Sequence, residues 1–184
     1  DAKDADMAAG IRAPGYIRNK DGTLTDKPAS FQTYLDKMES MTKSEEVDIM
    51  LMSMTSAERL INKKIFKNNS VTPAIRLNDT SCTWGMIRNG EYSKEESRPF
   101  ATAQLKHAVN FADLGLYSIT FNKNVDRDVK MLNLYRDFRT QAEQLKMRHF
   151  LEVFNSAVID LSPIEMGQYV NDCILKTLNG QTNS

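Results

Sequence analysis

Four short stretches of the chain are almost entirely apolar, and polar or turn-forming residues flank each of them. Apolar runs of about four to eight residues that end in this way are typical of β-strands buried on both faces. We therefore predict strands at residues 47–53, 71–77, 115–121 and 149–154. Pro73 weakens the second prediction at its start, because proline has no N–H to donate to a neighbouring strand.

Between these strands, apolar residues recur about every three or four positions, which is the spacing of one face of an α-helix. Ser30 has the position of a helix N-cap, and the pairs Thr55/Glu58 and Ser162/Glu165 match the capping-box pattern. The patterns predict helices at about 30–41, 55–66, 101–111, 125–146 and 163–179. The predicted inward stripe of the fourth helix consists of Val125, Val129, Leu132, Tyr135, Phe138, Ala142 and Leu145.

This alternation of strands and helices predicts an α/β fold with parallel strands and right-handed crossovers. Two architectures fit it: a small open four-stranded sheet, or a partial (β/α)₈ TIM barrel of about four βα units. The chain begins at Asp1 without an initiator Met and ends just after a helix stop, which favours the partial barrel. Residues 1–28 are then an irregular lead-in and 29–184 the first half of the barrel, with a long loop at 81–100.

Composition and charge narrow the classes of function. Lys+Arg and Asp+Glu both number 24, so the net charge is zero and the basic excess typical of nucleic-acid binders is missing. No apolar run has the roughly 20 residues of a membrane span, and no signal-peptide pattern begins the chain. Cys82 and Cys173 lie far apart and predict reduced thiols in a cytoplasmic protein.

Motifs for a bound metal or cofactor are missing from the sequence. The two histidines, His107 and His149, are too scattered for a metal site. The chain has neither a Gly-rich phosphate loop nor a Gly-x-Ser-x-Gly elbow. We therefore predict no metal and no cofactor, and a small molecule as the ligand.

In parallel α/β folds, active sites lie at the carboxyl ends of the strands. This rule selects polar residues at or just after each predicted strand, and we expect them to converge at one edge of the sheet. The candidates for substrate binding are Ser53, Arg76, Asn78, Asp79, Thr120, Asn122 and Asn155, and the candidate catalytic residue is Glu152.

Glu152 is the strongest of these candidates, because it lies inside an apolar strand and shares one face with Phe150 and Phe154. A buried carboxylate must be paired, and it is suited to be a general acid/base or the partner of a lysine. The alternative is a structural ion pair, for example with Arg76. Arg76 itself could bind a substrate carboxylate or phosphate, or pair with Glu152 or Asp79.

Four segments together, residues 47–53, 72–80, 112–122 and 149–155, resemble strands of the class I (Schiff-base) aldolase superfamily of (β/α)₈ barrels. That superfamily includes deoxyribose-phosphate, tagatose-bisphosphate and archaeal-type fructose-bisphosphate aldolases. The resemblance extends from about residue 45 to 180 and implies a Schiff base between a strand lysine and a keto or aldehyde substrate, without a metal. Glu152 in Leu-Glu-Val-Phe matches a strand glutamate of the tagatose-bisphosphate type and would transfer protons.

The resemblance places the Schiff-base lysine and the phosphate site on later strands, beyond Ser184. The chain also departs from the family, since related barrels carry a lysine on the strand that here extends over 114–120. The first hypothesis is therefore an aldolase-like lyase acting on a sugar phosphate or keto acid. The alternatives are a sugar-phosphate isomerase or epimerase that uses Glu152, and a non-enzymatic α/β binding module. The sequence leaves homo-oligomer formation open.

Overall fold

A computed structural model describes residues 2–3, 16–28, 30–82 and 94–181 of the 184-residue chain. Its strands are β1 (Ala2–Lys3), β2 (Tyr16–Arg18), β3 (Leu24–Pro28), β4 (Ile49–Met52), β5 (Thr72–Arg76), β6 (Asp79–Thr80), β7 (Pro99–Phe100), β8 (Leu114–Thr120) and β9 (Arg148–Phe154). Its helices are α1 (Phe31–Ser44), α2 (Met54–Asn62), α3 (Leu105–Ala108), α4 (Val125–Gln144) and α5 (Pro163–Leu178). Each of the four predicted strands is present. Most of the predicted 81–100 loop, residues 83–93, lies outside the described residues.

Five strands form one sheet in the order β1-β4-β5-β8-β9, and every neighbouring pair is parallel. Strands that are neighbours in the sheet follow one another in the order of the chain. The connections from β4 to β5 and from β8 to β9 each contain a helix, α2 and α4. The prediction of an α/β fold with a parallel sheet is therefore confirmed.

The register of the sheet sorts its side chains onto two faces, because registered residues of parallel strands point to the same side. On one face, Met50, Met52 and Ile75 pack with buried residues of α1, α2, α3 and α4. Farther along the same face, Tyr117 and Ile119 pack against α4 and α5. All five helices thus contribute to this side of the sheet, which we call the helix-covered face.

The other side of the sheet, which we call the opposite face, changes character along the strands. Toward the amino ends it is apolar, where Leu51, Ala74 and Leu116 form a core cluster of their own. Toward the carboxyl ends it becomes polar, with the side chains of Arg76, Ser118, Thr120 and Glu152. The sheet therefore separates a helix-packed core from a surface that carries the predicted site.

The predicted lead-in at 1–28 is not wholly irregular. β2 and β3 pair antiparallel, and Gly22 lies in their turn at φ +85°, a left-handed conformation that glycine adopts without strain. The Asp21 carboxylate accepts a hydrogen bond from the Thr23 N–H at 2.9 Å. Asp-Gly between two short strands is a recognised hairpin signal, so the sequence contained the information that the prediction overlooked.

Helix α2 begins earlier than its predicted capping box. Ser53, not Thr55, is the N-cap, and its hydroxyl accepts a hydrogen bond from the Ser56 N–H at 3.3 Å. The helix ends at Asn62, so the predicted extension to Phe66 is wrong. Lys64, which has a left-handed backbone at φ 61°, lies in the turns that follow.

Helix α4 has the predicted length but a shifted apolar stripe. Val125, Val129 and Leu145 are exposed, although the periodicity placed them inward. Met131, which the prediction omitted, is buried together with Tyr135. The packed stripe thus starts in the second turn of the helix, because the first turn makes no contact with either core cluster.

Gly115 in β8 and Gly167 in α5 offer a matched test of how closely the sheet is packed around Leu77. A Cβ on Gly115 would overlap the buried side chain of Leu77, whereas a Cβ on Gly167 in α5 would meet open space. We expect Gly115→Ala to lower the free energy of unfolding by about 1–3 kcal/mol through overpacking. Gly167→Ala should raise it by about 0.5–1 kcal/mol, because alanine favours the helix. Urea unfolding of both variants measures the difference, and an equal effect of the two would contradict the strand packing at Gly115.

His149 gives the fold a predictable dependence on pH. It is half-buried, and its Nε2 lies 3.0 Å from the Tyr135 hydroxyl oxygen. Burial, with a smaller contribution from Arg139, lowers the pKa of His149 below its ordinary value of 6.5. The unfolded chain therefore binds more protons in the window just below pH 6.5, and the free energy of unfolding falls as the pH falls through that window.

We expect His149→Gln to reduce the loss of stability between about pH 7.5 and pH 5.5, measured as the change in urea midpoint between the two conditions. His107→Gln is the matched control, since His107 is exposed. A pH dependence that is the same in wild type and His149→Gln would show that this side chain does not carry the effect.

Candidate functional site

The predicted candidates from β5, β8 and β9 meet on the opposite face. In the register of the sheet, Arg76 is aligned with Leu116, and Ser118, two residues farther along β8, is aligned with Glu152. Because side chains two residues apart point to the same side of a strand, Arg76, Ser118 and Glu152 lie on one face. Asp79 joins them from the residues that follow β5. We call these four residues the Arg76 cluster.

The guanidinium of Arg76 holds the cluster together. Its Nη1 lies 3.2 Å from Ser118 Oγ and 3.6 Å from Asp79 Oδ2, and its Nη2 lies 3.5 Å from Glu152 Oε2. Ser118 also donates a hydrogen bond to Glu152 Oε2 at 3.3 Å. Both structural pairings that the sequence left open for Arg76 are therefore present at once. Two carboxylates therefore already neutralise the positive charge of Arg76.

Burial differs sharply within the Arg76 cluster. The side chains of Asp79 and Arg76 are 0% and 7% exposed, whereas that of Glu152 is 27% exposed. Glu152 is thus the member that solvent and a substrate can reach. One guanidinium and two carboxylates give the cluster a formal charge of −1.

Asn78 extends the pairing of β5 with β8 beyond the last strand residue. Its side-chain amide donates to the Ser118 carbonyl at 2.8 Å, and its amide oxygen accepts from the Ser118 N–H. The side chain therefore occupies both backbone groups of Ser118, as a neighbouring strand would. This contact fixes the position of Ser118 and, through its hydroxyl, that of Glu152. Asn78 is buried, and these contacts give it a positioning role, while its predicted role in substrate binding stays a prediction.

A second polar group lies beside the Arg76 cluster at the strand ends. The hydroxyl oxygens of Thr80 and Thr120 are 2.8 Å apart, and the Cys82 thiol lies 3.2 and 3.3 Å from them. Thr120 was a predicted site residue, whereas Thr80 and Cys82 were not selected. Both threonines are fully buried, so they stabilise the strand ends from within the protein.

The remaining predicted residues have other positions. Ser53 caps α2. The Asn122 side chain bonds both backbone groups of Ser97, accepting from its N–H at 2.6 Å and donating to its carbonyl at 3.0 Å. Asn155 follows β9 and is exposed. Of the eight predicted residues, Glu152 and Asn155 are the two that are not buried.

Ser118 is the residue of the cluster that sequence reasoning missed. It interrupts an otherwise apolar stretch of β8, Leu-Tyr-Ser-Ile, and this interruption was the available signal. The prediction concentrated on strand termini, and Ser118 lies two residues before the end of its strand. Only the register between β8 and β9 shows that it faces Glu152.

The chain matches no protein-family model, no curated protein and no solved structure in the three comparisons made. These comparisons therefore give no support to the aldolase resemblance, which stays a hypothesis. Among the described residues, no group of three or more His, Cys, Asp or Glu side chains is arranged to hold a metal ion. Over the same residues, none of the helices combines the length and the apolar character needed to cross a bilayer.

The Arg76 cluster predicts an unequal effect of its members on stability. Arg76→Met would leave the fully buried Asp79 carboxylate without the guanidinium, and breaking a buried ion pair costs about 3–5 kcal/mol. Glu152→Gln should cost less than about 1 kcal/mol, because its side chain is partly exposed and the amide keeps the shape. Denaturant unfolding of both variants measures this.

The double variant Arg76→Met/Asp79→Asn is the control for the buried charge. It should recover part of the loss caused by Arg76→Met, because the amide removes the buried negative charge. Additive losses in the double variant would show that Arg76 and Asp79 are not energetically coupled.

Proposed function

We propose that the protein is an aldolase-like lyase that cleaves or forms a carbon–carbon bond in a sugar phosphate or keto acid through a Schiff base, with Glu152 as the acid/base. The observation that supports this is a partly exposed carboxylate, held by a buried guanidinium and a serine hydroxyl, on the face of the sheet opposite the helices. Carboxylates in such surroundings are suited to proton transfer.

A wider architecture is part of the same proposal. A parallel sheet that follows chain order and packs helices on one face is the arrangement of consecutive βα units in a (β/α)₈ barrel. In that interpretation the opposite face lines the barrel, and the carboxyl ends of the strands form its active-site mouth. The two free cysteines, Cys82 and Cys173, agree with a cytoplasmic enzyme.

In this mechanism Glu152 is the group that moves protons. Its carboxylate takes the proton from the substrate hydroxyl whose C–O becomes the new carbonyl, while the carbon–carbon bond breaks toward the Schiff base. It then returns a proton to the carbon of the resulting enamine. Arg76 and Ser118 hold its Oε2 in place during both steps, and the exposed Asn155 would contact the substrate.

The partly exposed Glu152 carboxylate is a negative group that can stabilise a cation at this site. A protonated Schiff base carries a positive charge, and a nearby negative group stabilises it. The strands β4, β5, β8 and β9 contain no lysine. The nucleophile of the proposed reaction therefore comes from another strand of the barrel, as the resemblance implies.

The lysine-free strands also favour a second candidate. A sugar-phosphate isomerase or epimerase needs a carboxylate that removes a proton next to a carbonyl group, and it needs no Schiff base. Glu152 would have the same position and the same supporting contacts in that enzyme. The two candidates differ in whether a covalent intermediate forms.

Borohydride reduction of the full-length protein separates the two candidates. With dihydroxyacetone phosphate, pyruvate and related carbonyl compounds, we expect a covalent adduct detectable by intact-protein mass. Glu152→Gln should lower turnover by about 10²- to 10⁴-fold, the usual contribution of a general acid/base. Glu143→Gln, which removes an exposed glutamate on α4, is the matched control and should leave turnover unchanged.

The outcomes of this experiment distinguish the lyase, the isomerase and the binding module. Turnover without a trapped adduct removes the lyase proposal and favours the isomerase. Turnover that survives Glu152→Gln removes both enzymes. No turnover and no adduct with the whole set of carbonyl compounds leaves the binding module as the better description of the protein.

A further inference from the structure

A cavity of about 780 Å³ opens on the helix-covered face, on the other side of the sheet from the Arg76 cluster. It lies between the segment 99–106 and helix α4, above Leu77 and Tyr117 of the sheet. Its origin is local, because α3 between β5 and β8 spans only Leu105–Ala108. One helical turn covers less of the sheet than the longer helices α2 and α4 do, and a space remains beside α4. Cavities of this size typically accommodate small organic molecules.

The walls of the cavity are mainly apolar and rich in aromatic rings. Phe100 lines one side, and Leu134 and Phe138 of α4, with Leu145 just after its end, line the other. Leu134 and Leu145 are among the large apolar side chains that the structure leaves exposed. Tyr117 and Phe138 have ring centroids 4.5 Å apart with an angle of 34° between the ring planes. A flat ring system can pack against such surfaces through edge and face contacts.

The hydroxyl of Tyr117 is a polar group on the side of the cavity formed by the sheet. It is 6% exposed, and no hydrogen bond to its hydroxyl occurs within the described residues. Burial raises the pKa of Tyr117 to about 12, so the hydroxyl stays protonated at neutral pH and keeps a proton to donate. A ligand with an oxygen or nitrogen acceptor can take a hydrogen bond from this hydroxyl.

Lys106 supplies positive charge at the mouth of the cavity. It is exposed, and the ion pairs of the described residues do not include it. The nearby acidic residue of the lining, Asp137, is engaged by the Arg136 guanidinium at 2.9 and 3.2 Å. The amide side chains of Gln104 and Gln141 complete the polar rim. The mouth thus favours an anion over a cation.

We propose that this cavity binds a small aromatic carboxylate, with its rings between Phe100 and Phe138, its carboxylate at Lys106 and a polar substituent near the Tyr117 hydroxyl. The aromatic lining selects the ring system, the lysine selects the charge, and the Tyr117 hydroxyl selects a hydrogen-bond acceptor. This site is separate from the Arg76 cluster and does not depend on the function proposed for that cluster.

Calorimetric titration with biphenyl-4-carboxylate tests the site, and biphenyl-4-carboxamide is the uncharged comparison ligand. We expect saturable binding of one carboxylate per chain. Lys106→Gln should weaken binding of the carboxylate by about 3- to 10-fold and that of the carboxamide by less than about 2-fold. Tyr117→Phe keeps the ring and should weaken a 4′-hydroxylated form of the acid by about 2- to 10-fold, because it removes the hydrogen bond to the added oxygen.

Two further variants locate the binding. Ala103→Trp places a large ring in the cavity and should abolish binding of both ligands. Lys130→Gln removes an exposed lysine of α4 that does not line the cavity, and it should bind as wild type does. Melting curves of each variant establish that the fold is retained.

Several results would overturn the proposal. These are an absence of saturable binding at millimolar ligand, binding that survives Ala103→Trp, and equal losses in Lys106→Gln and Lys130→Gln. Tighter binding of decanoate than of the biphenyl acid would reject the aromatic class. Glu152→Gln should leave the affinity unchanged, which keeps this test independent of the proposed lyase activity.

Discussion

A buried guanidinium is the constraint on which the opposite face of the sheet depends. Arg76 is 7% exposed, and a charge in that position is tolerated only when other groups neutralise and hydrogen-bond it. Asp79, Ser118 and Glu152 meet that requirement from three separate parts of the chain. The need to satisfy one charge thereby brings together β5, β8 and β9, and it leaves Glu152 as the member that reaches solvent.

The same arrangement explains why the surrounding polar residues are structural. Asn78 satisfies both backbone groups of Ser118, and Asn122 does the same for Ser97. Each amide replaces hydrogen bonds that a regular strand would otherwise supply where the chain leaves the sheet. The precision with which Glu152 is held therefore comes from neighbours that are not exposed to a substrate.

Much of the fold followed from local patterns in the sequence. The strand around Glu152 was predicted because apolar residues surround a single charge, and α5 was predicted because Ser162, Pro163 and Glu165 form a complete start signal. Such signals act over a few residues, so they can be recognised without knowledge of the fold. The same approach gave an ion pair with Arg76 as the alternative to a functional role for Glu152, since an unpaired charge in an apolar strand is costly.

The features that the sequence did not predict depend on contacts between segments that are distant in the chain. Ser118 became part of the cluster only through the register of β8 with β9. The exposure of Val125 and the burial of Met131 reflect which turns of α4 reach the sheet, and periodicity alone does not contain that information. The space beside α4 has a similar origin, because it follows from the shortness of α3 compared with the predicted helix at 101–111.

The agreement between sheet order and chain order has a consequence for how the protein is made. From β4 onward, each strand pairs with the strand that precedes it in the main sheet, so a growing polypeptide can add one layer at a time as it leaves the ribosome. The registered residues of neighbouring strands from β4 to β9 lie 23 to 40 positions apart, so each pairing closes a loop of one βα unit. In such vectorial assembly, the partners of Arg76 arrive in sequence, with Asp79 first and Glu152 last.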